Sequence, residues 1–275
     1  MTDQATGLID AQGQRHTRAE GPVRIVSLVP SITELLCALG LAGALVGRTG
    51  FCVHPREIVR GVRKLGGTKD VDLEALSALA PTHVVVNIDE NTRETYLKLR
   101  ERVPHVIVTH PNAPQDNPGL YRLLGGIFGR EAETARLCEA FAQAEARLER
   151  AASGLAPRRV LYLIWRRPWM TVARDTYISA MLRRVRWFTV PVVTSSRYPE
   201  LSDPELGELG AELCLLSSEP YAFRARHIDE VRALLGASTP VRLIDGEMMS
   251  WYGSRAIPAL DYLARFAHDA TAHAA

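Results

Sequence analysis

Residues 24–34 read Arg24-Ile25-Val26-Ser27-Leu28-Val29-Pro30-Ser31-Ile32-Thr33-Glu34, and this stretch decides the fold class. Its β-branched run suits a buried strand, and Pro30 ends it. Ser31 reads as a helix N-cap, with Glu34 three residues on as the reciprocal partner of a capping box. The helix that follows, 32–39, stops at Gly40. A strand that feeds a helix through a tight turn leaves the first helical amides facing whatever lies above the sheet edge.

The same alternation continues outward. Strands are predicted at 44–46, 83–86 and 105–109, with helices at 73–79, at 91–102 and from 117 to Gly125 or Gly129. From Glu131 to Ala152 there is no Gly or Pro, and Leu137, Phe141, Ala144 and Leu148 recur at spacings of four, three and four. That pattern predicts one amphipathic helix of about 30 Å. Beyond it, strands are predicted at 160–164, 170–172, 213–216 and 241–244, and helices at 178–185, 204–209, 227–235 and 257–267. The class is α/β with mostly parallel sheets.

The expected organisation is an N-terminal arm at 1–22, a first lobe at 23–130, a spine helix at 131–153 and a second lobe at 154–275. The lobes repeat each other weakly. Asp72-Leu73-Glu74 opens a short helix before the strand that ends at Asn87, and Asp203-Pro204-Glu205 opens one before the strand that ends at Ser217. Chance similarity is the competing reading. If the repeat holds, the carboxyl ends of the two sheets face each other across a ligand cleft.

Composition narrows the function. The 275 residues are 47% hydrophobic and 23% charged, with 33 basic against 31 acidic side chains. That near balance argues against a nucleic-acid partner drawn by global charge. Only Lys64, Lys69 and Lys98 are lysines, so 30 of the basic residues are arginine. Base composition explains such a skew, and so do arginines that grip an anionic ligand. The four cysteines are too scattered for a zinc motif or a disulfide scaffold; Cys52, in a loop, is the one to watch. No run of 18 apolar residues exists, so no membrane span is expected. The first 22 residues hold five charges and no apolar stretch, which reads as no signal peptide and a cytoplasmic protein.

The loops at the sheet edges carry the candidate site: Pro30-Ser31, Phe51 to His54, Asn87 to Glu90 and His110 in the first lobe. The second supplies Trp165 to Trp169, Tyr198 and Glu247 to Arg255. Three of the four tryptophans fall in this set, which suits a large, flat, partly apolar ligand. Trp169 also reads as core, whereas Trp251 and Tyr252 beside Gly253 read as a binding loop. No nucleophile motif, zinc motif, P-loop or dinucleotide fingerprint is present. Gly66-Gly67-Thr68-Lys69 is only a fragment of a phosphate loop. His83 and His105 sit at strand starts. No catalytic residue and no protein-bound metal or cofactor is expected.

Segment 24–34, Val46-Gly47 followed by His54-Pro55, Gly66-Gly67, and Asp72-Leu73-Glu74 with Ala80-Pro81 together resemble the cobalamin-binding and iron-siderophore-binding proteins of ABC importers. Residues 8–13 resemble the short hairpin that often precedes the first strand there. The resemblance covers nearly the whole chain and is closest to the vitamin B12-binding branch of the class III periplasmic binding protein fold. It implies two Rossmann-like lobes joined by one backbone helix, and a monomer that captures a metal chelate, with cobalamin or a related corrinoid first. Carried over residue by residue, the ligand would touch Pro30, Ser31, Phe51, Cys52, Asn87, Trp165, Arg166, Arg167, Tyr198, Glu247, Trp251, Tyr252 and Arg255. Glu94 and Glu205 would dock onto an ABC permease. Two departures stand out: Asn87 replaces a family tryptophan, and the exported leader is missing, so a periplasmic role implies another export route. The arginines at 166, 167 and 255 keep a ferric siderophore or haem as the alternative ligand. A cytosolic cofactor-modifying enzyme, built on a convergent Cys52, His54 and His110, is the alternative of another class.

Overall fold

A computed structural model describes residues 7–272; residues 1–6 of the expected arm and 273–275 lie outside the described residues. The chain forms two compact units. One comprises residues 7–111, 115–141 and 252–255, and the other 112–114, 142–251 and 256–272.

The first unit opens on a hairpin, β1 (Leu8–Ile9) with β2 (Arg15–His16). Asp10 ties it down: its buried carboxylate accepts from the backbone N–H of Gln12, Gln14 and Val108 and pairs with the His16 ring, at 2.9–3.1 Å. The sheet follows, from β3 (Ile25–Ser27), β4 (Leu45–Arg48), β5 (Arg63–Lys64), β6 (His83–Asn87) and β7 (His105–Thr109). Its order is β5-β4-β3-β6-β7, with every pair parallel. Parallel neighbours need crossovers, which bury both faces of a strand. Here α1 (Pro30–Ala38), α2 (Arg56–Val59), α3 (Leu73–Ala78) and α4 (Arg93–Arg102) provide them, and Val84, Val85 and Val86 are buried. Two longer helices come next, α5 (Asn117–Phe128) and α6 (Glu131–Ala152). The latter runs where the Leu137–Leu148 spacing places it, with Phe141, Ala144 and Leu148 buried.

The second unit repeats the plan. Its main sheet contains β8 (Arg158–Leu163), β10 (Trp187–Thr189), β12 (Leu213–Ser217) and β13 (Val241–Ile244), in the order β10-β8-β12-β13 and again all parallel. A small antiparallel pair, β9 (Trp169–Met170) with β11 (Glu200–Leu201), stands apart. The helices are α7 (Tyr177–Arg183), α8 (Asp203–Glu208), α9 (Arg226–Leu235), α10 (Gly246–Ser250) and α11 (Ala256–Ala272). The expected α/β class with two Rossmann-like lobes is what the two units show.

Four local expectations are corrected. Helix α1 starts two residues early, at Pro30, with Val29 as its cap and no side-chain capping bond. Proline's missing N–H costs nothing in a first turn; Ser31 is thus inside the helix, and Glu34 is held by Arg255 rather than by a capping box. Asp72 does cap α3, through the N–H of Ala75, but in the second unit the cap is Ser202, boxed with Glu205. Asp203 instead accepts the indole N–H of Trp169 at 2.7 Å. Helix α5 ends at Gly129, the second of the two expected stops, and passes through Gly125, where a Cβ would collide with the Thr134 hydroxyl of α6, so the earlier glycine marks close packing rather than a helix end. Strand β10 escaped prediction because it has only three residues. Its Trp187 is fully buried.

His83 and His105 lie opposite each other on β6 and β7 with rings stacked at 4.6 Å. Burial, with repulsion from His105 and His16, pushes His83 down to about 4. An unfolded histidine takes its proton near pH ~6.5. Between those values the unfolded state binds more protons, so stability falls as pH drops through that window. His83→Gln should flatten this slope: its urea midpoint is expected to fall less than the wild type's between pH 7 and about pH 4.5.

Candidate functional site

In an open parallel sheet the strand order reverses at one point, and the carboxyl ends flanking it form a natural ligand crevice. In the first unit that point lies between β3 and β6; in the second it lies between β8 and β12. Pro30, Ser31, Asn87 and Trp165 to Arg167 lie at the ends of these strands, whereas Phe51 and Cys52 follow β4 and Glu247 to Arg255 follow β13.

At the edge of the first unit, two buried polar side chains shape the loops. Arg48, at the end of β4, donates to the carbonyls of Val59 (2.7 Å), Thr49 and Cys52 (3.0 Å each). This bracing curls residues 49–52 and leaves Phe51 61% exposed beside exposed Val53. Asn91 joins three loops: its amide donates to the carbonyls of Leu28 (3.3 Å) and Thr68 (2.8 Å), and its oxygen accepts from Asn87 N–H (2.9 Å). Neither residue was singled out from sequence. The available signal was a polar residue placed just past an apolar strand.

The other candidates of this unit are more deeply set. Pro30 and Ser31 are buried in the first turn of α1. Asn87 is buried, accepting from Asp89 N–H and donating weakly to Thr109; exposed Ile88 follows it. Cys52 is fully buried, 3.2 Å from Thr49 Oγ1, and burial pushes its thiol up. His54 is half-buried, and His110 lies 3.5 Å from Asp89. Among the described residues, no group of three or more His, Cys, Asp or Glu could hold a metal ion. Gly66-Gly67 turns the chain between β5 and α3, with Gly67 N–H bound to Asp70 O. Tyr252 and Arg255 are anchored rather than mobile: Tyr252 donates to Glu90 at 3.0 Å, and Arg255 grips Glu34 twice at 2.8 Å. Between them, Gly253 accepts from Tyr121 OH and donates to Asn117. Burial and the Glu90 carboxylate push Tyr252 up.

At the edge of the second unit, Trp165 follows β8 and is 39% exposed, edge-on to Tyr221 at 5.7 Å. Arg166 is bound by both carboxylate oxygens of Glu230, at 2.7–3.1 Å. Arg167 lines a shallow groove of about 310 Å³ with Trp169, Asp203 and Glu230. Trp169 is core, stacked on Phe223. Tyr198 is half-buried, its N–H bound to Ser196. Glu247 is half-buried in α10, and Trp251 after it is only 7% exposed. What holds Trp251 is a residue the sequence reading passed over. Glu219, two residues beyond β12, accepts from Ser250 Oγ (2.7 Å) and Trp251 Nε1 (2.9 Å), both on Oε1. A Cβ on Gly246 would lie 2.5 Å from Ser217 Oγ and 2.6 Å from Glu219 Cγ, so only glycine lets α10 approach.

The proposed docking carboxylates are both exposed at the start of a helix. Glu94 pairs with Lys98 at 2.6 Å, and Glu205 closes the capping box with Ser202. These bonds hold both below the usual carboxylate range.

Comparison with known proteins gives a consistent neighbourhood. The profile of the family described as "Periplasmic binding protein" matches residues 25–217. The fold is similar to the periplasmic vitamin B12-binding protein of Vibrio cholerae, at a TM-score of 0.79 and 16% identity, covering 91% of this chain and 98% of that one. It is also similar to the periplasmic heme-binding protein of Roseiflexus sp. RS-1 in apo form, at 0.77 and 21%, covering 91% and 99%. Over 78 residues it is 40% identical to an uncharacterized ABC transporter substrate-binding lipoprotein of Bacillus subtilis (strain 168). That match covers 28% of this chain and 24% of the relative, so the chain spans about a quarter of the relative's length there.

Asn91 makes a direct test of how the first edge is built. Asn91→Ala removes the shared partner of Leu28 O, Thr68 O and Asn87 N–H. The expected loss is about 2–3 kcal/mol of unfolding free energy, read from the urea midpoint at unchanged m-value.

Proposed function

The chain belongs to the periplasmic binding protein family, and on that premise we propose that it is the substrate-binding component of an ABC-type uptake system for a metal chelate, with a corrinoid as the first candidate. The observation that carries this reading is a pair of exposed aromatics, Phe51 and Trp165, each just past the end of a strand at its own unit's sheet edge. Exposed rings at such an edge cost solvation unless an apolar ligand covers them. Flat macrocycles such as corrins and porphyrins have the apolar faces that suit them. Haem is the second reading, supported by the likeness to the Roseiflexus heme-binding protein.

Solute binding also accounts better for Cys52 than catalysis does. A nucleophilic cysteine is exposed with a lowered pKa, whereas this thiol is buried and raised. Among the described residues no helix is long and apolar enough to cross a membrane. The family favours a place of action outside the cytoplasm and gives no support to the cytoplasmic location read from residues 1–22. Glu94 and Glu205 remain the proposed contacts to a permease.

Cyanocobalamin in excess should raise the melting temperature and shift the visible spectrum. Phe51→Ala and Trp165→Ala should each weaken binding about tenfold or more, or roughly 1.4 kcal/mol. Absence of any shift with corrinoids, haem and ferric siderophores alike would sink the reading. The permease contact has its own check. Glu94→Arg should leave ligand affinity unchanged and reduce cellular uptake of labelled ligand; equal uptake would remove Glu94 from the interface.

A further inference from the structure

The arginines at the sheet edges first suggested an anionic ligand, yet the structure gives two of the three a carboxylate of their own. Arg166 is neutralised by Glu230 and Arg255 by Glu34. Among the described residues, by contrast, the carboxylate of Glu219 pairs with no cation. It sits two residues past β12, beside the point where the strand order of the second unit reverses. Its two hydrogen bonds come from neutral donors, Ser250 and Trp251, and both land on Oε1. The charged groups that act on it, Glu247 and Asp245, are acidic. Glu219 is half-buried.

Resting on the reading of the chain as a chelate-binding protein, we infer that Glu219 sets the charge selectivity of the ligand, admitting chelates of neutral or positive net charge and turning away those of negative net charge. A negative ligand group brought near Glu219 would meet like charge in a poorly solvated place, where Coulomb repulsion is weakly screened. Burial and the neighbouring Glu247 and Asp245 push Glu219 up, while the donors from Ser250 and Trp251 favour its charged form. Gly246 packs against its Cγ and so limits how far the side chain can withdraw. The same carboxylate also holds Trp251, which ties the charge to the packing of the edge.

The test compares wild type with Glu219→Gln, which keeps an acceptor for Ser250 and Trp251. Affinities are measured for cyanocobalamin, aquocobinamide, haemin and a ferric tris-catecholate. Wild type should bind the first two more tightly than the last two. Glu219→Gln should raise affinity for the anionic pair by about tenfold, as expected for removing one poorly screened like charge. It should leave cyanocobalamin, whose net charge is zero, within about twofold. Glu247→Gln, which leaves the Trp251 bond intact, should act in the same direction but less. Haemin bound as tightly as cyanocobalamin by wild type, or a Gln variant that shifts both classes equally, would overturn the inference while leaving chelate binding in place. Binding of none of the four by either protein would overturn the functional reading itself.

Discussion

Parallel strand pairing is the constraint on which the rest of this structure depends. Once β3, β4, β6 and β7 run side by side in one direction, every return path must cross over a sheet face. All carboxyl ends then collect on a single edge, and the same holds for β8, β12 and β13. The apolar runs at 84–86 and 213–216 are consequences, because crossovers cover both faces of each strand. The candidate ligand residues are a consequence too. They fall on loops not because loops are permissive in general, but because these loops leave the carboxyl ends of parallel strands, at or next to the point where their order reverses.

Two kinds of buried polar group turn those loops into defined surfaces. Arg48 and Asn91 bind backbone carbonyls of the surrounding loops and of the end of α2, and so fix the shape of the first edge. Glu219 does the corresponding work at the second edge through Trp251 and Ser250. Such groups are costly to bury unless their bonds are made. They therefore favour one loop arrangement over its alternatives. The exposed rings of Phe51 and Trp165 inherit their positions from this framework.

The charge pattern follows from the same geometry. An arginine-rich chain with near-zero net charge must pair many of its cations. Arg166 with Glu230 and Arg255 with Glu34 show how partners distant in sequence achieve that. Among the described residues, Arg167 and the carboxylate of Glu219 are left without an ion pair at the second edge, so composition alone overstated the positive charge there.

Much of the fold was legible because its signals are local. Periodicity located α6 at 131–152, and apolar runs located β6, β7, β12 and β13 to within a residue or so. Local chemistry also misled: Ser31 and Asp203 have capping chemistry, but Pro30 and Ser202 start their helices. Three-residue β10 gave no periodic signal at all. Of the site, sequence located the edge loops and the exposed aromatics Phe51 and Trp165. It could not show that Trp169, Trp251 and Tyr252 are buried, that Cys52 is sealed, or that Arg166 and Arg255 are spent on carboxylates. The two arginine pairings join residues 64 and 221 apart in sequence, Arg166 with Glu230 and Arg255 with Glu34. Sequence alone determined the α/β alternation and which loops crown the sheets, since both depend on neighbours along the chain. Which charges remain unpaired at those loops was decided only by the tertiary structure, because compensation is a matter of distance in space.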